Sequence, residues 1–228
     1  MSKFTAIVLA AGSGSRMHSD VKKQYMELEG YPLIYYALKS FSESPVDDII
    51  LVTGLEDIEY CRNEIVMRYG FVKVTTIVAG GKERYDSVYN GLNAAIDADY
   101  VLIHDGARPF VTDAMIRSSM DAVVKYDAVT VAVPTKDTIK VVDDDGFGVE
   151  TLDRSVLWNV QTPQSFNRNM LLGAYKDMRT LNDTKITDDT VIIERYANKS
   201  VKIIEGDYRN IKVTTPEDIN LAKEFLRI

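Results

Sequence analysis

The segment FTAIVLAAGSGSRM, residues 4–17, decides the fold class of this 228-residue chain. Its first six residues form an apolar run with several β-branched side chains, which is typical of a buried strand. The small residues that follow the run are Ala10, Ala11, Gly12 and Gly14. Small residues let a ligand contact the backbone, and such a turn can direct several N–H groups at a phosphate. The segment therefore predicts a first strand that ends in a phosphate-binding turn.

Strand and helix patterns alternate along the rest of the chain. Further apolar runs with strand character lie at residues 48–52, 73–78, 100–103 and 128–133. Helical spacing is found at residues 32–41, 56–69, 84–96 and 113–124, and an N-cap pattern at Thr215-Pro216 predicts a last helix that continues through Leu226. This alternation predicts an α/β fold, with a Rossmann-like, mostly parallel sheet and helices on both faces.

Residues 137–154 interrupt the alternation. Two short extended pieces, at 141–142 and 149–152, flank the acidic turn Asp143-Asp144-Asp145-Gly146. Acidic residues and glycine suit a tight turn, so this segment is expected to form a protruding β-hairpin arm, the alternative being a plain surface excursion. We find no repeat or flexible linker, and the sequence predicts one domain over residues 1–228 with the arm inserted.

Composition excludes several functional classes. The net charge of −7 argues against a broad basic face for nucleic acid, so any anion must meet a local basic cluster. No window approaches the roughly 20 apolar residues of a membrane span, and the N-terminal segment lacks a signal-peptide cleavage site. The single cysteine, Cys61, is expected to be a small buried residue, and the two histidines form no zinc pattern. We expect a cytoplasmic protein that binds neither membrane nor nucleic acid.

The glycine-rich turn does not match the two commonest phosphate-binding loops. A P-loop requires glycine and lysine where this chain has Met17 and His18. A dinucleotide-binding loop requires a third small residue at the position of Met17, which is too bulky for close helix packing. Both families are therefore disfavoured.

Three cations follow the turn at Arg16, Lys22 and Lys23. A triphosphate carries about four negative charges, and each like-charge pair at 5 Å costs roughly 3 kcal/mol at an effective dielectric of 20. Two phosphorylated substrates therefore need fixed cations in order to approach each other. The turn and the cations together favour transfer of a nucleotidyl group to a phosphorylated acceptor.

Polar residues also follow the later strands, and ligands of open α/β sheets collect at these strand ends. Gly81 and Ser87 belong to a second glycine turn that could hold a base or a ribose. In the next cluster, Asp105 could bind a metal or a sugar hydroxyl and Arg108 an anion. His104 is interpreted as a buried histidine with satisfied hydrogen bonds. Near the C-terminus, Lys212 lies in an apolar run, where it either extends to solvent or points at an anion.

Nine motifs in order resemble the 2-C-methyl-D-erythritol 4-phosphate cytidylyltransferase family. They are AAGSGSRM (10–17), KKQ (22–24), GGKERYDSV (80–88), HDGARP (104–109), KDTIK (136–140), LDRSVLW (152–158), QTPQSF (161–166), ITDD (186–189) and NIKVTTPED (210–218). The chain departs from the usual family pattern at Leu9 and Lys22, where proline is common. Lys22 leaves open which of two lysines acts, and Lys23 is favoured because it directly precedes Gln24.

The resemblance implies an enzyme that joins CTP to methylerythritol phosphate with Mg²⁺, as a homodimer clasped through the arm. Its implied catalytic residues are Arg16, Lys23 and Lys212. Its implied nucleotide-binding residues are Ala10, Ala11, Gly12, Gly14, Gly81 and Ser87. Its implied acceptor-binding residues are Asp105, Arg108, Thr138, Arg154, Thr162 and Thr187, some of them supplied by the partner's arm. The Mg²⁺ would be held mainly by the triphosphate, with Asp105 as a further ligand.

Two other functions remain open on the sequence. A ribitol 5-phosphate cytidylyltransferase shares the loop and the motifs QTPQSF and NIKVT, although HDGARP and ITDD look more like the methylerythritol enzyme. A non-catalytic nucleotide sensor would keep the glycine loop without needing Arg154, Thr162 or Thr187. For either transferase no general base is required, because the second pKa of a phosphate monoester is about 6.

Overall fold

The computed structural model describes residues 2–12, 21–181 and 183–227. Its strands are β1 (Phe4–Ala10), β2 (Glu27–Leu28), β3 (Tyr31–Pro32), β4 (Asp48–Thr53), β5 (Val74–Ala79), β6 (Tyr100–Asp105), β7 (Ala128–Pro134), β8 (Lys140–Val142), β9 (Gly148–Thr151), β10 (Trp158–Asn167) and β11 (Lys202–Glu205). Its α-helices are α1 (Leu33–Glu43), α2 (Ile58–Tyr60), α3 (Arg84–Ala94), α4 (Asp113–Tyr126), α5 (Arg168–Thr180), α6 (Asp189–Tyr196) and α7 (Pro216–Leu226).

Seven strands form the main sheet in the order β11-β7-β10-β6-β1-β4-β5. All neighbouring pairs are parallel except those of β10, which runs antiparallel to both β6 and β7. Because β1, β4, β5 and β6 are parallel, their carboxyl ends lie at one edge of the sheet. This edge therefore receives the loops in which the sequence predicts ligand binding.

Helices cover both faces of the sheet, as the sequence predicts. Side chains alternate across a strand, so Ala6 and Val8 of β1 pack with α1 and α4, whereas Ile7 packs on the opposite face with α3, α5 and α6. The three β1 side chains are fully buried. A strand covered on both faces needs the continuous apolar sequence that identified β1.

Short polar residues begin several helices, and the sequence predicts such a start for the last one at Thr215. Asp188 caps α6 by accepting a hydrogen bond from the backbone N–H of Val191 at 3.1 Å. Thr215 and Asp218 form a reciprocal capping box around Pro216 at the start of α7. Such caps satisfy N–H groups that have no partner within the helix.

Residues 137–154 form the predicted arm, in which β8 and β9 pair as an antiparallel hairpin. The turn is fixed by Asp143, whose Oδ1 accepts hydrogen bonds from the N–H groups of Asp145 and Phe147 at 3.1 and 2.8 Å. Gly146 has a φ of 85°, a left-handed conformation that favours glycine. The arm is therefore an ordered hairpin and not an irregular excursion.

The structure differs from the sequence predictions in several elements. Strands β10 and β11, helix α5 and the β2–β3 hairpin fall outside the predicted elements. The predicted helix at residues 56–69 begins with a 3₁₀ turn, Leu55–Asp57, and contains a π-helical stretch, Cys61–Met67. Within the described residues, no helix has the length and apolar character needed to span a membrane.

Candidate active site

A cavity of about 300 Å³ opens at the carboxyl edge of the main sheet. Eight predicted site residues line it: Ala10, Ala11, Gly12, Lys23, Gly81, Ser87, Asp105 and Lys212. Six further lining residues were not among the predicted ones: Leu9, Gln24, Lys82, Glu83, Arg84 and Ala107. The cavity brings together residues from both ends of the chain, as expected for a site at strand ends.

The two glycine turns meet at one wall of the cavity. The Ser87 hydroxyl accepts a hydrogen bond from the backbone N–H of Gly81 at 3.1 Å. A side chain at Gly80 would place its Cβ 2.4 Å from the Cβ of Ala11, so glycine is required for this approach. The Gln24 amide donates to the carbonyls of Ala10 and Gly12 at 2.7 and 3.2 Å. These two hydrogen bonds from Gln24 hold the first turn in place. Gln24 belongs to the KKQ motif, but a glutamine by itself does not indicate this role.

The structure separates the roles of the two adjacent lysines. Lys23 lines the cavity and its Nζ donates to the carbonyl of Val213 at 3.1 Å. Lys22 forms ion pairs with Glu56 and, at 2.7 Å, with Asp57. The backbone of Lys22 has a φ of −59°, the value that proline imposes, which explains why proline is compatible with this position. This placement favours Lys23 as the lysine that faces a substrate.

Asp105 is the electrostatic centre of the cavity. Its carboxylate lies 2.8 Å from the Nζ of Lys212, 3.4 Å from the Nε of Arg84 and 3.9 Å from the Nε of Arg108. Although burial alone would raise the pKa of Asp105, the cations Arg84, Lys212 and Arg108 hold it well below its usual range. Asp105 is therefore ionised at neutral pH and keeps Lys212 at the cavity.

His104 is the buried histidine that the sequence predicts. Its Nε2 lies 3.1 Å from the carbonyl of Arg108, which can only accept, so Nε2 carries the proton. Its Nδ1 then accepts a hydrogen bond from the hydroxyl of Thr162 at 2.9 Å. Burial lowers the pKa of His104 to about 4, and the ring is therefore neutral at pH 7. A ring whose two nitrogens are both occupied serves the structure rather than proton transfer.

The predicted acceptor residues occupy three different places. Thr162 is buried and accepts a hydrogen bond from the N–H of Asp105 at 3.1 Å, whereas Arg108 donates to the carbonyl of Asn210 at 2.7 Å. Thr187 is exposed two residues before the start of α6. Thr138 and Arg154 are exposed on the arm, and neither lines the cavity of its own chain. The predicted Gly14 and Arg16 lie outside the described residues.

Among the described residues, no three His, Cys, Asp or Glu side chains lie close enough together to hold an ion. Mg²⁺ is usually held by one or two carboxylates together with substrate phosphates, and Asp105 supplies one carboxylate at the cavity. The residues therefore fit an ion that is carried mainly by a triphosphate.

Two backbone turns beside a lysine–carboxylate pair, at the carboxyl edge of a parallel sheet, define an α/β nucleotidyltransferase. The family model of 2-C-methyl-D-erythritol 4-phosphate cytidylyltransferase matches residues 4–228. The chain belongs to this family.

Individual relatives agree with the family model. The enzyme of this name from Lachnospira eligens is 51% identical over 225 residues, a match covering 98% of this chain and 99% of the relative. The Clostridium novyi enzyme of the same name is 46% identical and covers 99% of this chain and 97% of its own length. Among solved structures, 4-diphosphocytidyl-2C-methyl-D-erythritol synthase from Anaerococcus prevotii superposes with a TM-score of 0.86 at 34% identity, covering 100% of this chain and 97% of that chain.

Proposed function

We propose that the cavity transfers the cytidylyl group of CTP to 2-C-methyl-D-erythritol 4-phosphate and releases pyrophosphate. Membership of the family supports the substrates. The observation that carries the proposal is the placement of Lys23, Lys212 and Asp105 at a cavity whose wall is made of two glycine turns. The backbone turns would bind the nucleotide, and the two lysines would face its phosphates.

Catalysis would rest on alignment and charge. The acceptor phosphate is mostly ionised near neutral pH and needs no general base. This agrees with the neutral, fully hydrogen-bonded state of His104. Lys23, Lys212 and Arg16 would stabilise the negative charge that develops at the α-phosphorus, while the cavity holds the acceptor oxygen in line with the leaving pyrophosphate.

A Mg²⁺ ion fits this scheme as a partner of the triphosphate. It would neutralise part of the phosphate charge and assist departure of pyrophosphate. Asp105 would be its protein ligand, since this carboxylate lines the cavity and is ionised at neutral pH.

The acceptor side would be completed by a second copy of the chain. Thr138 and Arg154 lie on the arm, which also exposes Phe147, Val149 and Val142 with 71%, 62% and 58% of their surface accessible. Exposed apolar side chains grouped on a hairpin favour burial against a protein surface. We infer a cytoplasmic homodimer in which each arm delivers these two residues to the partner's cavity. Within one site, Asp105, Arg108, Thr162 and Thr187 would provide the remaining acceptor contacts, with Arg154 at the acceptor's phosphate.

A coupled pyrophosphate assay tests the function. The enzyme is incubated with CTP, Mg²⁺ and either 2-C-methyl-D-erythritol 4-phosphate or ribitol 5-phosphate. We expect pyrophosphate with the first acceptor and little with the second. A preference for ribitol 5-phosphate would assign the other cytidylyltransferase activity, and no pyrophosphate with either acceptor would favour a nucleotide sensor.

A further inference from the structure

Arg84 places a positive charge at the N-terminal end of a helix. It is the first residue of α3, where the helix dipole favours negative charge. Its Nη2 lies 2.8 Å from Oδ2 of Asp189, and its Nε lies 3.4 Å from Oδ1 of Asp105. The side chain of Asp189 is completely buried and that of Asp105 is 11% exposed. A buried carboxylate without a partner is strongly destabilising, so Asp189 depends on Arg84 for its charge partner, whereas Asp105 also has Lys212 and Arg108 as partners.

Asp189 connects Arg84 to the acceptor side of the site. Its Oδ1 accepts a hydrogen bond from the phenol of Tyr175 at 2.5 Å, and its backbone N–H donates to the side-chain oxygen of Gln164 at 3.1 Å. Burial and the neighbouring carboxylate keep the pKa of Tyr175 well above its ordinary value, so the phenol remains a donor. These contacts fix the first turn of α6, which begins two residues after Thr187.

Asp105 connects Arg84 to the catalytic side. One carboxylate oxygen faces Arg84, and the other lies 2.8 Å from the Nζ of Lys212. Arg84 therefore sets the rotation of the carboxylate that holds Lys212. Arg84 also neutralises part of the negative charge of Asp105. This weakens the ion pair between Asp105 and Lys212, so that the Lys212 ammonium can move more easily to an incoming phosphate.

We propose that Arg84 is a positioning residue for cytidylyl transfer, which ties the end of β6 to the start of α6 so that Lys212 and Thr187 meet their ligands. The planar guanidinium presents donors in several directions and can bridge two carboxylates, whereas a lysine ammonium is a compact point charge. The inference rests on the proposed function, because it concerns the same cavity.

Steady-state kinetics of Arg84→Met and Arg84→Lys test the role. A misplacement of about 1 Å can reduce turnover about 100-fold, and we expect a loss of this size in kcat for both variants. The KM for the acceptor should rise, while the KM for CTP changes by less than about threefold because backbone turns hold the nucleotide. The matched control is Arg179→Met. It removes a 2.5 Å ion pair between Arg179 on α5 and Asp86, which lies on α3 like Arg84, and neither partner lines the cavity. This control should keep wild-type kinetics.

A second variant separates positioning from folding. Arg84→Met leaves Asp189 buried without its cation, and the double variant Arg84→Met/Asp189→Asn removes that uncompensated charge. We expect the double variant to regain most of the lost Tm while kcat stays low. Recovery of both Tm and kcat, or an Arg84→Met enzyme that matches Arg179→Met, would overturn the inference. An inactive wild-type enzyme would instead overturn the proposed function and the inference with it.

Discussion

Lys212 and Lys23 both contact oxygen atoms that phosphate groups can replace. Lys212 pairs with Asp105 at 2.8 Å, and Lys23 donates to the carbonyl of Val213 at 3.1 Å. A bound triphosphate offers each ammonium a stronger, fully charged partner. At the residue scale, the proposed function would therefore use a pair of cations that are held in place before a nucleotide binds.

Lys23→Ala and Lys212→Ala should each lower kcat without unfolding the protein. Loss of one donor to developing charge costs roughly 2 to 4 kcal/mol, or about 30- to 1,000-fold in kcat. The measurement is steady-state release of pyrophosphate, with Lys39→Ala as the control because Lys39 pairs with Glu43 on an exposed face of α1. Near-normal turnover of either variant would remove that lysine from the catalytic role.

His104 should make the protein less stable as the pH falls from 6.5 towards 4. Burial lowers the pKa of His104 from 6.5 to about 4, so in this window the unfolded chain binds a proton that the folded protein does not. The free energy of unfolding should fall by about 2 kcal/mol between pH 7 and pH 5 from this group alone. Urea unfolding of the wild type and of His104→Gln at both pH values gives the difference. Equal pH dependence in the two proteins would show that folding does not lower the pKa of His104.

Residue types in sequence order were enough to predict much of the cavity. Ala10 and Gly81 were expected from small-residue turns, whereas the apolar run around Lys212 left its role open and the family resemblance implied it; all three line the cavity. The role of Arg84 could not be predicted, because it depends on contacts with Asp105 and Asp189. These carboxylates approach Arg84 only in the folded chain. The roles of the predicted residues remain predictions.

At the scale of elements, two glycine turns form the cavity wall that is proposed to bind the nucleotide, and Gly80 lies where the turns approach each other. In Gly80→Ala the new Cβ would lie 2.4 Å from the Cβ of Ala11 and 2.7 Å from the Oγ of Ser87. The turns must then separate, and we expect the KM for CTP to rise about tenfold or more, with a destabilisation of about 1 to 3 kcal/mol. Nucleotide binding by calorimetry and thermal unfolding measure the two effects.

Gly173→Ala is the matched control for Gly80→Ala. Gly173 lies inside α5, and a Cβ there meets no atom within 4 Å. Alanine should therefore stabilise the helix by about 0.5 to 1 kcal/mol and leave the KM for CTP unchanged. If both variants bound CTP like the wild type, the close approach of the turns would not matter for the nucleotide.

Sequence patterns predicted the elements whose residues keep one hydrophobic pattern along their whole length. Strand β1 is apolar except for Thr5 and was found, whereas β10 contains Pro163 and several polar residues and was not. Proline removes a ladder hydrogen bond, and β10 tolerates it because its register with β7 shifts between Val160 and Gln164. Helix α5 did carry a usable signal, since its buried residues have helical spacing. They are Leu171, Ala174, Tyr175 and Met178.

At the scale of the whole molecule, the alternation of strands and helices predicted layers but not strand order. The place of β10 between β6 and β7 depends on contacts between distant segments, which local patterns do not record. The arm was predicted from its turn residues, whereas its proposed role at a partner's cavity remains a prediction. The single-domain organisation over residues 1–228 likewise remains a prediction.

Mixing two inactive variants tests whether the arm acts across subunits. Lys212→Ala has a defective cavity and an intact arm, whereas Arg154→Ala has an intact cavity and a defective arm. If each arm serves the partner's cavity, a heterodimer of the two variants contains one cavity with both intact parts and one with neither. Random mixing of equal amounts makes half the dimers heterodimers, and each heterodimer has one intact cavity out of two. Activity should therefore recover to about a quarter of the wild-type value, the ordinary statistics of a symmetric dimer.

If Arg154 served its own cavity, every cavity in the mixture would keep one defect and activity would not recover. The mixture is exchanged under mild denaturant and assayed for pyrophosphate, with each variant alone carried through the same treatment.

Sedimentation tests the dimer itself. The wild type should sediment as a dimer, and Phe147→Asp, which replaces an exposed apolar side chain of the arm, should shift the protein towards the monomer.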